Sequence, residues 1–121
     1  MSKVLIVDDS PTALFGLRRI VEEAGHSAVT AESGEQALRM VNDEQPEVIL
    51  MDIVMPGMSG YQATRQLSRD SSTRHIPVIM VTSKSGEADR AWGLRQGARE
   101  YVTKPVDAHR LLNAITEAMA A

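Results

Sequence analysis

Three short runs of uninterrupted apolar residues constrain this chain most: VLIV (4–7), VILM (48–51) and VIMV (78–81). A strand with one wet face alternates apolar and polar residues. A run that is apolar throughout suits a strand covered on both faces, as in a parallel sheet flanked by helices. Each run stops at a polar residue, namely Asp8, Asp52 or Thr82. The chain must therefore bury several strands completely and release polar groups at one end of each.

What lies between the runs supplies the cover. Ser10 and Pro11 predict an N-cap followed by proline at the first helical position, and Ala13, Leu17, Ile20, Val21 and Ala24 recur at helical spacing up to Gly25. HSAVTA is a weaker strand. Ser33 with Gln36, and Ser59 with Gln62, have capping-box spacing ahead of two further helices. A helix over 86–96 carries the stripe Ala88, Ala91 and Leu94 beside Trp92, and Gly97 stops it. EYVT is a short fifth strand, and Asp107 caps a last helix bearing Leu111, Leu112, Ile115 and Met119. Five strands alternating with five helices predict an α/β fold, a parallel sheet with right-handed crossovers.

At 121 residues this is one domain, and 43% apolar with 24% charged residues is a globular balance. A net charge of −3 gives no general reason to bind nucleic acid or an acidic membrane. The absence of cysteine excludes disulfides and thiolate metal sites. No apolar run approaches the ~20 residues of a membrane span, and the N-terminus lacks a signal peptide's apolar segment. The expectation is a cytoplasmic protein without membrane insertion.

The chemistry lies at the strand ends. Asp8 and Asp9, Asp52, Thr82 and Lys104 all fall at or just beyond the C-terminal ends of the expected strands, where open α/β sheets bind ligands. Carboxylates without histidine or cysteine suit a hard divalent cation, Mg2+ above all. Lys104 adds a charge suited to phosphate and Thr82 a hydroxyl donor. Such a set can stabilise a phosphoryl group on one of its own carboxylates. Asp52, alone at its strand end, is the best nucleophile.

These residues carry a resemblance. DD after the first strand, MDIVMPGMSG around Asp52, VT closing the fourth strand and KP after the fifth make the chain similar to the receiver domain of bacterial two-component response regulators over essentially its whole length. The resemblance implies a flavodoxin-like (βα)5 fold with strand order 2-1-3-4-5. It makes Asp52 the phosphoacceptor and Asp9 and Asp52 direct Mg2+ ligands, with Asp8 acting mainly through water and the Val54 backbone carbonyl adding a ligand. Lys104 would contact the phosphoryl group, and the bond to Pro105 would be cis. Thr82 would move to the phosphoryl oxygen while Tyr101 rotates inward, altering the surface of the fourth helix, fifth strand and fifth helix.

The rivals fit less well. A dehalogenase-type phosphatase would need a second aspartate where Val54 stands, and no P-loop or dinucleotide glycine pattern is present. A receiver that is never phosphorylated should have lost an acid, the threonine or the lysine. Ser83 narrows access to the site, and Val54 cannot orient an attacking water, so self-dephosphorylation should be slow. The chain ends directly after the fifth helix, which implies a stand-alone receiver with output through protein contact or phosphate relay, and no enzyme beyond its own phosphoryl transfer. MDIVMPGMSGYQATRQL and WGLRQGAREYVTKPVD resemble stand-alone regulators of type IV pilus twitching motility. A histidine kinase or its phosphotransfer domain would then be the donor, and pilus motor control a downstream target. Swimming chemotaxis and a phosphorelay intermediate are the alternatives. Phe15, opposite the buried stripe of the first helix, could meet the phosphodonor.

Overall fold

The computed structural model describes residues 2–120. Strands and helices alternate throughout: β1 Lys3–Val7, α1 Pro11–Glu23, β2 Ser27–Ala31, α2 Gly34–Glu44, β3 Val48–Met51, α3 Gly60–Arg69, β4 Val78–Thr82, α4 Glu87–Arg95, β5 Glu100–Thr103 and α5 Ala108–Ala120. All neighbouring strands pair in parallel in the order β2-β1-β3-β4-β5, the flavodoxin-like arrangement expected. Strand β1 ends at Val7 and β3 at Met51, so Asp8 and Asp52 each lie one position beyond a strand.

The apolar runs are covered on both sides. Leu5, Val7, Ile49, Met51, Val78 and Met80 pack on one face with Ala37 and Val41 of α2 and Ala63 and Leu67 of α3. Val4, Ile6, Val48, Leu50, Ile79 and Val81 point the other way, against Leu17 and Val21 of α1 and Leu111, Ala114 and Ile115 of α5. Alternate side chains of one strand thus fill two separate cores, which is why no polar residue interrupts the runs.

Local signals place the helix starts. The Ser10 hydroxyl accepts from the Ala13 amide at 3.2 Å, and Ser59 and Gln62 form a complete capping box. Ser33 caps α2 through the Gln36 amide at 3.1 Å, but the Gln36 side chain accepts from the Glu32 amide rather than from Ser33. Among the described residues no helix is long and apolar enough to cross a membrane.

One helix departs from expectation. In α4 the stripe Ala88, Ala91 and Leu94 faces solvent together with Trp92, and Gly93 is the one fully buried residue of the helix. The inward face is a glycine because the Tyr101 ring and Met80 leave no room: a Cβ at Gly93 would sit 3.3 Å from Tyr101 Cε2 and 3.4 Å from Met80 Cγ.

Candidate functional site

The parallel register brings the ends of β1, β3, β4 and β5 to one edge of the sheet. The Asp52 amide donates to the Val7 carbonyl at 3.0 Å, and the Lys104 amide donates to the Thr82 carbonyl at 2.8 Å. Backbone bonding thus continues one residue past the strands and fixes where these side chains start.

They converge. One carboxylate oxygen from each of Asp8, Asp9 and Asp52 lies within 4.8 Å of the others. Asp8 is fully buried and engaged through both oxygens: Oδ1 accepts from the Ser10 amide at 2.9 Å and Oδ2 from Lys104 Nζ at 2.7 Å. Asp9 is exposed. Asp52 is buried, with Oδ1 accepting from the Ile53 amide at 2.8 Å and Oδ2 facing Lys104 Nζ at 3.5 Å. Its two oxygens thus face different partners, a backbone amide and an ammonium. The Lys104–Pro105 peptide is cis, as expected.

Electrostatics follow from burial. Desolvation, then the charge of Asp8, holds the Asp52 carboxyl above its ordinary range, against Lys104, the Ile53 amide and the Thr82 hydroxyl, which pull it down. Burial alone would lower the Lys104 ammonium, but its hydrogen bond to Asp8 and the charges of Asp52 and Asp8 outweigh this and leave it raised. An all-carboxylate donor set with an adjacent ammonium fits a hard divalent cation and an anion beside it.

A model of the response regulator receiver domain matches residues 4–116. The chain belongs to the response regulator receiver family. This receiver is 52% identical to the protein PilH of Pseudomonas aeruginosa over 120 residues, covering 99% of each chain. Among solved structures it resembles the Vibrio cholerae chemotaxis protein CheY4, with a TM-score of 0.91 at 28% identity over 98% of each chain. It also resembles the receiver domain of a Pseudomonas aeruginosa sensor histidine kinase, with a TM-score of 0.91 at 26% identity over 99% of this chain and 98% of that one. That structure has a magnesium ion coordinated in its active site cleft.

In this receiver Thr82 is fully buried, and its Oγ1 lies 3.4 Å from the Lys84 amide that donates to it. Tyr101 occupies the inward position. Its ring is already inside, 3% exposed, and its hydroxyl donates to the Lys84 carbonyl at 2.6 Å. Burial, helped by Tyr61 and Asp89 nearby, pushes that hydroxyl up to about 12. The Val54 side chain is 58% exposed beside Asp52, and Phe15 is 65% exposed on α1.

Sequence reasoning missed three contributors. Gly60 lets α3 begin against the back of Asp52, since a Cβ there would collide with the Asp52 carbonyl. The Gly60 amide closes the loop by donating to the Ile53 carbonyl at 2.8 Å. Glu35 of α2 accepts from the Met58 amide at 3.3 Å, beside Gly57 at φ +75°. A glycine directly after a capping serine was the available signal for Gly60. Nothing local pointed to Glu35. Lys84 contributes through its backbone, so its side chain carried no signal.

Proposed function

We propose that this receiver is a phosphorylation-dependent signalling switch in which Asp52 accepts a phosphoryl group from a histidine kinase or phosphotransfer domain. The observation that carries the reading is the placement of Lys104 Nζ, 2.7 Å from Asp8 and 3.5 Å from Asp52 at the mouth of an acidic trio. Asp52 Oδ2 would attack phosphorus as the bond to the donor's imidazole nitrogen breaks. That nitrogen leaves with the electron pair and takes up a proton from solvent. Asp8, Asp9, Asp52 and the Val54 carbonyl would hold Mg2+, which neutralises charge on the transferring group when bound. Lys104, freed from Asp8, would pair with the phosphoryl oxygens, and Thr82 would donate its hydroxyl to another.

Once Thr82 Oγ1 turns to the phosphoryl group, the Lys84 amide loses its acceptor. The loop that begins at Ser83 would then rearrange and alter the surface of α4, β5 and α5, a population shift biased by local charge. Likeness to PilH along nearly the whole of both chains favours type IV pilus (twitching) motility as the pathway. Output would pass by direct contact with a cytoplasmic protein.

Incubation with acetyl phosphate and Mg2+, read by intact mass, tests the core of this. One added phosphoryl group is expected, absent in Asp52→Asn and absent with chelator. Labelling that survives the substitution places the acceptor elsewhere.

A further inference from the structure

The attachment of α4 is polar where that of the other helices is apolar. It has nine residues and buries a single glycine, and its N-cap Gly86 makes no side-chain cap bond. So short a helix is unstable alone, and with its apolar stripe turned outward it gains little from burial.

Hydrogen bonds from α3 meet it at both ends. At the start, the Tyr61 hydroxyl donates to the Asp89 carbonyl at 3.1 Å, with Asp89 Oδ1 at 3.4 Å. At the finish, the Ser68 hydroxyl lies 2.8 Å from the carbonyl of Gln96, the C-cap of α4, closer than the 3.1 Å to Arg65 in its own helix. Tyr61 and Ser68 are two helical turns apart and so share one face of α3. Thr64 lies between them, buried, with its hydroxyl 3.8 Å from the Met80 sulfur. The face of α3 toward α4 is thus a column of hydroxyls, and at each end of α4 the acceptor is a backbone carbonyl.

We propose that Tyr61 and Ser68 are positioning residues that clamp the two ends of α4 onto α3, making α4 a separately releasable element of the fold. The upper end of the clamp adjoins the site: Asp89 Oδ1 lies 3.8 Å from Lys84 Nζ, and the Lys84 backbone touches both Thr82 and Tyr101.

Native-state hydrogen exchange on the full chain, comparing wild type with Tyr61→Phe, Ser68→Ala and Ser68→Thr, tests this. Removing one net hydrogen bond should speed local opening by roughly 5-fold. Tyr61→Phe should do so over 90–93 and Ser68→Ala over 94–97, while β1 and β3 amides keep wild-type rates. Ser68→Thr, which retains the hydroxyl, should restore slow exchange. Unchanged α4 exchange in both Tyr61→Phe and Ser68→Ala, or an equal rise in β1 and β3, overturns the proposal. Neither outcome touches the phosphorylation reading, because no phosphodonor is present.

Discussion

Lys104 Nζ lies 2.7 Å from Asp8 Oδ2 across 96 residues of sequence, nearer than the 3.5 Å that separates it from Asp52 Oδ2. The ammonium thus neutralises the most buried acid of the trio.

Removing that charge strands Asp8. Lys104→Met should cost about 1–3 kcal/mol, below the value for a fully buried pair because the Lys104 side chain is 25% exposed. Added Mg2+ should stabilise the variant more than wild type, since no ammonium competes for the carboxylates. Urea melts with chelator and with Mg2+ measure both effects. Identical midpoints would mean that Asp8 finds its counter-charge elsewhere.

Asp52 sets the pH response. Burial first, then Asp8, raises its carboxyl above the ordinary 3.8. A group that holds its proton more tightly when folded destabilises the fold once ionised, fully above its folded pKa and not at all below its unfolded one. Without Mg2+, Asp52→Asn should therefore be the more stable protein at neutral pH. The gap should close as pH falls through the raised Asp52 pKa toward 3.8. Paired melts from neutral pH downward check this, and a gap independent of pH contradicts it.

On the proposed function, Val54 should govern the lifetime of the phosphoryl group. An exposed apolar side chain beside Asp52 cannot orient water, so decay after donor removal should take minutes or longer. Val54→Asn should shorten it by about 10-fold or more, within the range that a positioned polar group contributes. Decay in seconds in the wild type would show that another group activates water.

Gly60 binds site to scaffold. Gly60→Ala forces a methyl onto the Asp52 carbonyl and should cost about 3 kcal/mol or more, with loss of phosphoryl labelling wherever the loop yields. Chemical denaturation and intact mass read the two consequences. Wild-type values for both would mean that α3 can start farther from Asp52 at no cost.

The sheet was legible because its signals are local: VLIV, VILM and VIMV can be buried only on two faces, and Ser10 and Ser59 cap the helices that follow them. The residues of the site were legible because strand ends share one edge. Which acid takes the lysine was not, since Asp8 and Lys104 meet through the fold and both carboxylates look alike in sequence. The stripe Ala88, Ala91 and Leu94 misled for a related reason. Helical spacing tells which residues share a face, whereas Tyr101 and Met80, on the strands either side of α4 in the chain, decide that Gly93 turns inward. The position of the Tyr101 ring likewise depends on a carbonyl seventeen residues away.

That ring lies indoors at 3% exposure, tied to the carbonyl of Lys84. Lys84 belongs to the short exposed span from Ser83 to Gly86, which leads from the strand holding Thr82 straight into α4. Whatever listens to this protein would be hearing four loop residues shift and a loosely moored helix follow.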